Sequence, residues 1–155
     1  MTTIIVSTQD EMTALGRKLA RGLTRGDCVA LRGDLGVGKS VLARAMIREV
    51  AGEPIDVPSP TFPLIEAYPF EPPLHHVDLY RLDGPEQVIE LGLEDLIDHG
   101  VTLIEWPDRA EGILPHNRLD VTITERTNGE RMVELMPRGE GWSRRIEALL
   151  SGGIV

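Results

Sequence analysis

Two spacings of apolar residues take turns along this chain, one of period two and one near 3.6, and their order predicts alternating strands and helices. A short strand is expected over 4–7. Thr8-Gln9-Asp10-Glu11 then reads as a capping box, with the Thr8 hydroxyl set against one backbone N–H and Glu11 reaching back. Met12, Leu15, Leu19 and Leu23 follow at helical spacing, with a stop near Gly22 or Gly26. Cys28-Val29-Ala30-Leu31 is an unbroken apolar run suited to a buried strand. The stretch 41–50 has a stripe of Ala43, Ile47 and Val50 beside Leu42 and Met46, and Ala51-Gly52 ends it.

Pro54, Pro58, Pro60 and Pro63 make 53–63 a stiff extended loop. Beyond it the pattern predicts an antiparallel pair of strands over 64–68 and 74–79, a short helix opened by Pro85, and another over 93–97. Val101-Thr102-Leu103-Ile104 has the continuous apolarity of a strand covered on both faces. The runs 119–124 and 131–136 alternate on either side of Asn128-Gly129 and read as a hairpin. Trp142, Ile146, Leu149 and Leu150 suggest a closing amphipathic helix, followed by a loose tail over 151–155.

Length and composition narrow this picture. The 155 residues, 41 % of them hydrophobic, suit one domain over 1–150 that buries about two-thirds of its unfolded surface. No stretch nears the roughly 18 apolar residues of a membrane span, and the first residues lack the basic region of an export signal. One cysteine, Cys28, cannot form an internal disulfide, so a cytoplasmic protein is expected. The formal charge of −9 argues against direct binding of DNA or RNA and favours a protein partner with a basic face.

The chemistry begins between the strand at 28–31 and the helix at 41–50. There Gly33-Asp34-Leu35-Gly36-Val37-Gly38-Lys39-Ser40 matches the phosphate-binding pattern G-x-x-x-x-G-K-[ST] in the strand-loop-helix setting that the pattern requires. Glycines let main-chain N–H groups wrap a phosphate, the helix start adds positive dipole, Lys39 reaches outer phosphates, and the Ser40 hydroxyl can ligate Mg²⁺. The chain has only two lysines, Lys18 and Lys39, against fourteen arginines, which marks Lys39 as a position wanting a compact ammonium. The resulting expectation is a P-loop NTPase-like three-layer α/β fold, with a mainly parallel central sheet plus antiparallel hairpin additions.

Hydrolysis needs carboxylates near a metal, and ligands in such sheets gather at the carboxyl ends of strands. Glu105 directly follows the apolar run 101–104, and Asp78 closes Leu74-His75-His76-Val77. Either could be the metal-side acid; the plainer alternative is a solvated strand end. His75 and His76 point to opposite faces of a strand and cannot chelate one ion, so structural or supporting roles are expected of them. Thr61 in Ser59-Pro60-Thr61-Phe62 is a candidate sensor of a terminal phosphate or an ordinary turn residue. Trp106 could be core, a stacking face for a nucleotide, or a partner contact.

Taken together, these motifs and Ser59-Pro60-Thr61-Phe62, His76-Val77-Asp78-Leu79-Tyr80-Arg81-Leu82 and Ile104-Glu105-Trp106-Pro107 resemble the signature series of the bacterial TsaE (YjeE) ATPases, from Thr8 to about Arg131. The resemblance implies an ATP- and ADP-binding, Mg²⁺-dependent ATPase, weak alone, that supports threonylcarbamoyl modification of adenosine 37 in tRNAs reading codons beginning with A. Its implied partners are TsaD and TsaB, with tRNA reached only through them. By position it implies nucleotide contacts at Gly33 and from Gly36 through Val37, Gly38, Lys39 and Ser40 to Val41, with Mg²⁺ at Ser40 and Glu105. It further implies a Walker B-like acid at Asp78, phosphate sensing at Thr61, a functional Trp106, and a base contact near Gln9. Ser40 and Val41 stand where the family more often has Thr; Ser40 keeps the hydroxyl.

Two other classes share the loop. A small-molecule or nucleoside kinase would need an acceptor pocket and an Arg-rich lid, whereas 110–140 reads as a hairpin with scattered Arg126, Arg131 and Arg138. A GTPase-type switch would need an N-K-x-D loop, and neither lysine lies in one. Arg81 and Arg109 are the only arginines near the motifs that could act as a finger.

Overall fold

The computed structural model describes residues 1–151; of the expected tail, Ser151 closes the last helix and 152–155 lie outside the described residues. In chain order the elements are β1 (Thr2–Val6), α1 (Gln9–Ala20), β2 (Cys28–Arg32), α2 (Lys39–Ala51), β3 (Ile65–Tyr68), β4 (Leu74–Asp78), α3 (Pro85–Glu90), α4 (Leu93–His99), β5 (Val101–Glu105), β6 (Arg118–Glu125), β7 (Arg131–Arg138) and α5 (Glu140–Ser151). A 3₁₀ turn, Pro107–Ala110, follows β5 and has no apolar periodicity that could have announced it.

All seven strands form one sheet in the order β1-β7-β6-β2-β5-β4-β3. The central four, β6, β2, β5 and β4, run parallel, and β1, β7 and β3 add antiparallel edges. Both expected strand pairs are present, 65–68 with 74–78 and 118–125 with 131–138.

Alternation along each strand sorts its residues between two cores. Val29, Leu31, Leu103 and Val121 face α1, α2 and α5, where Leu15, Leu42, Met46 and Trp142 pack against them. Cys28, Val77 and Ile104 face α3, α4 and the 3₁₀ turn, meeting Val88, Leu93, Ile97 and Ala110. The result is three layers, with the parallel strands buried on both sides as their unbroken apolar runs require. Burial also pushes the Cys28 thiol up to about 12, so it packs as an apolar group rather than a nucleophile.

Local chemistry sets the ends of the first helix pair. The Thr8 hydroxyl accepts from the N–H of Glu11 at 3.1 Å, and the Glu11 carboxylate reaches back past Thr8 to the N–H of Ser7 at 3.2 Å. That second bond takes Ser7 out of β1, which ends at Val6. Gly16 lies inside α1 because a Cβ there would stand 2.8 Å from Ala45 Cβ and 2.9 Å from the Leu42 carbonyl oxygen. The two helices therefore approach at backbone distance beside the loop that precedes α2. Among the described residues no helix is long and apolar enough to cross a membrane.

Buried Asp120 on β6 gathers three arginines, Arg118 at 3.0 Å, Arg138 at 3.1 Å and Arg32 at 3.4 Å. Burial alone would raise its carboxyl; the hydrogen bonds from Arg118 and Arg138 and the arginine charges outweigh this and hold it below the usual carboxylate range. Its contribution is therefore complete above the ordinary Asp range and is lost as pH falls through the depressed folded value. Asp120→Asn should cost about 3 kcal/mol in chemical denaturation at neutral pH. The gap from wild type should close in acid, where both side chains are uncharged.

Candidate functional site

Residues 33–38 join β2 to α2 in a turn built by three glycines of positive φ, Gly33 at 146°, Gly36 at 76° and Gly38 at 120°. At Gly33 the need is also steric, since a Cβ would lie 2.6 Å from the Ile123 carbonyl oxygen and 2.8 Å from Val37 Cγ1. Buried Val37 anchors the turn. Its N–H donates to the Asp34 carbonyl at 3.3 Å, and its carbonyl accepts from Arg131 Nε at 2.9 Å. Gly38 caps α2 without any side-chain bond. The N–H groups that open this helix thus have no carbonyl partner within it, and they carry the positive end of its dipole.

These groups border a cavity of about 200 Å³. Gly38, Lys39 and Ser40 form one side of it; Thr61, Asp78, Glu105 and Trp106 form the other. A second cavity, of about 270 Å³, lies across Gly36 and Gly38 from the first and is lined by Ser7, Thr8, Gln9, Met12 and Arg131. One backbone turn separates the two spaces.

Asp78 and Glu105 end neighbouring parallel strands and stand opposite each other in register. Each carboxylate is held. Asp78 Oδ2 accepts from the Thr61 hydroxyl at 3.2 Å and its Oδ1 from the Tyr80 N–H at 2.9 Å. Glu105 Oε2 lies 2.7 Å from His76 Nε2, a buried contact in which the imidazole supplies the proton. The Thr61 oxygen also lies 2.8 Å from Ser59 Oγ. Arg81 fixes the same loop from below, with Nε 3.0 Å from the Thr61 carbonyl and one terminal nitrogen 2.6 Å from that of Phe62.

Lys39 is buried; its ammonium donates to the Gly33 carbonyl and stands 3.7 Å from the centre of the Trp106 ring. Burial lowers its pKa, with Glu105 the first of four acids that pull the other way. Trp106 adopts a left-handed φ of 58° and lies 4.8 Å from the Tyr80 ring. That conformation turns its indole over Lys39 while it still packs on the second core. Anion-binding amides and one ammonium therefore face two anchored carboxylates across a single small space. This pairing suits a polyphosphate bridged to a cation.

A family model described as "Threonylcarbamoyl adenosine biosynthesis protein TsaE" matches residues 6–133. The chain belongs to the TsaE family. The TsaE of Streptomyces coelicolor, named a tRNA threonylcarbamoyladenosine biosynthesis protein, is 35 % identical over 149 residues, 91 % of this chain and 100 % of that protein. The TsaE of Nostoc sp. is 37 % identical over 144 residues, 88 % of this chain and 86 % of its own length. Among solved structures, Bacillus subtilis YdiB superposes with a TM-score of 0.81 at 26 % identity, covering 97 % of this chain and 95 % of YdiB.

For this TsaE-family chain, the fold brings Gly36, Gly38, Lys39, Ser40, Val41, Thr61, Asp78, Glu105 and Trp106 to one cavity. Gln9 and Val37 line the other, while Gly33 lines neither and contributes the carbonyl that takes Lys39. His76 supports Glu105, and His75, on the opposite face, takes no part. Arg81 does not reach into the cavity as a finger, because its donors serve the loop carbonyls. Sequence reasoning passed over Arg131 as a scattered hairpin residue; its only signal was its position at the start of β7, opposite Val6. Gly33→Ala should lower stability by about 2 kcal/mol in thermal or chemical unfolding, through the two close contacts and the disfavoured φ.

Proposed function

We propose that this protein binds ATP with Mg²⁺ across the two cavities and hydrolyses it in support of tRNA threonylcarbamoyladenosine formation, acting through TsaD- and TsaB-like partners. The observation that carries this reading is the convergence of Lys39, Ser40, Thr61, Asp78 and Glu105 on one cavity at the start of α2. The triphosphate lies along 36–41, with the nucleoside in the second cavity beside Gln9. The available donors suit Mg²⁺: a Ser40 hydroxyl and two carboxylates, all hard oxygens. Among the described residues no three His, Cys, Asp or Glu side chains gather around one ion position. An ion here would complete its shell with phosphate oxygens and water, as Mg²⁺ does. When bound, it would neutralise charge on the phosphoryl oxygens during transfer to water.

The side chains then divide the work. Lys39 leaves the Gly33 carbonyl for the outer phosphates, where its charge is worth more. Thr61, oriented by Asp78, meets the terminal phosphate. Ser40 and Glu105 would hold the metal, with Glu105 kept in place by His76, and Trp106 covers the ammonium and excludes water. With Arg81 committed to the loop, Lys39 is the single side-chain cation lining the cavity among the described residues, and weak hydrolysis without a partner is the expected consequence.

Lys39→Ala should weaken ATP binding by about ten- to a hundredfold in calorimetry, the cost of charge-assisted bonds to phosphate. Glu105→Ala should retain ADP binding but flatten the dependence of turnover on Mg²⁺. Adding the TsaB–TsaD pair should raise ATP turnover by wild type. Phosphate appearing on a metabolite instead of as inorganic phosphate would replace this reading with a kinase.

A further inference from the structure

Arg131 lies far from every motif in sequence, yet among the described residues it is the one side chain bonded to the main chain of the glycine-rich turn from another strand. Its Nε donates to the Val37 carbonyl at 2.9 Å. One of its terminal nitrogens is fixed in turn by the Gly129 carbonyl at 2.8 Å and the Glu125 carboxylate at 3.2 Å. The guanidinium is therefore anchored on the β6–β7 hairpin and offers the turn a donor at a set position.

We infer that Arg131 is a positioning residue that locks the Val37–Gly38 peptide in its phosphate-binding orientation. A trans peptide is planar, so its carbonyl and the following N–H point in opposite directions. With the Val37 carbonyl held on the Arg131 side, the N–H of Gly38 turns away from Arg131, toward the cavity that holds Ser40, Asp78 and Glu105. Released, this peptide could rotate, because Gly38 tolerates φ of either sign. A flipped peptide would put a carbonyl where the phosphate needs an N–H. The Val37 side chain is buried and stays put, so the lock acts on the peptide plane and not on the path of the chain. Arg131 also lines the second cavity, which makes a direct contact with the nucleoside the competing role.

The inference rests on the nucleotide reading proposed above, and the two fail differently. Arg131→Met, Arg131→Gln and Arg131→Lys would each be titrated with MgADP and with magnesium pyrophosphate by calorimetry. The Gly38 amide would be followed by NMR in the free and pyrophosphate-bound proteins. Expected is a loss of about tenfold in the Met variant for both ligands alike, with recovery in Gln, whose amide nitrogen stands where Arg131 Nε does, and partial recovery in Lys, whose longer side chain can still donate to the carbonyl. The Gly38 amide of the Met variant should be exchange-broadened or doubled without ligand, at an unchanged Tm. A loss for ADP with pyrophosphate untouched would overturn the inference in favour of a nucleoside contact, and unchanged affinities for both would overturn it outright. If wild type bound neither ligand, the nucleotide reading would fall. The ligand-free Gly38 resonance would still decide the lock, identical spectra in wild type and Arg131→Met counting against it. Should the Met variant not fold, Arg131→Leu takes its place as the variant without a donor.

Discussion

The structure is organised by an uncapped helix start. Two helices lie side by side under the same sheet, and their N-termini are treated oppositely. The first is closed by the Thr8 hydroxyl and backed by Glu11, whereas the second begins at Gly38 with no side-chain acceptor. The N–H groups that open the second helix have no acceptor within it and border an open cavity, where a ligand oxygen can meet them. The surroundings serve that arrangement. Gly16 lets α1 approach α2, Gly33 lets the chain leave β2 against β6, and neighbouring β4 and β5 bring two carboxylates to the opposite side.

Electrostatics follows from the same geometry. The chain carries a formal charge of −9, and a space bordered by Asp78 and Glu105 would repel a polyphosphate if amides and Lys39 did not face it. Lys39 meanwhile rests against a carbonyl and an aromatic face, both favourable to an ammonium, in a place where burial lowers its pKa. It is thus held without being paired to either carboxylate, which leaves all three charged groups available. Arginines elsewhere serve architecture: three converge on Asp120, Arg81 holds the Thr61 loop, and Arg131 holds the turn. This division fits the chain's single lysine in the loop, since a guanidinium forks onto fixed acceptors while an ammonium can change partners.

Much of this was legible in the sequence where the physics is local. The strand, turn and helix around Gly33 to Ser40 lie in one continuous segment, and the glycines that the turn demands are written in order. Glu105 and Asp78 were also readable, because Glu105 ends an unbroken apolar run, Asp78 ends a strand whose apolar pattern two histidines interrupt, and parallel strands align their carboxyl ends. The facing of Lys39 onto Trp106 was not, since it depends on the left-handed backbone of Trp106, a residue type with no preference for it. Arg81 was visible as a nearby cation but its direction was not: whether a guanidinium reaches a ligand or two carbonyls depends on how a proline-rich loop folds back. Arg131 needed more still, a β-hairpin register that sets its side chain beside a loop 94 residues away in sequence.

The two carboxylates show why side-chain partners matter beyond stability. Asp78 is restrained by a hydroxyl and a backbone N–H, the first of which belongs to the loop bearing Thr61. Movement of that loop therefore changes what Asp78 can bind, and a ligand contacting Thr61 is coupled to Asp78 through one hydrogen bond. Glu105 is restrained by His76 on the adjacent strand, inside the sheet itself, where β4–β5 pairing leaves little freedom. One acid thus answers to a loop and the other to the rigid scaffold. A site arranged this way can keep one oxygen donor constant while the other responds to the occupant at the loop, and binding and its consequence can be separated within a single cavity.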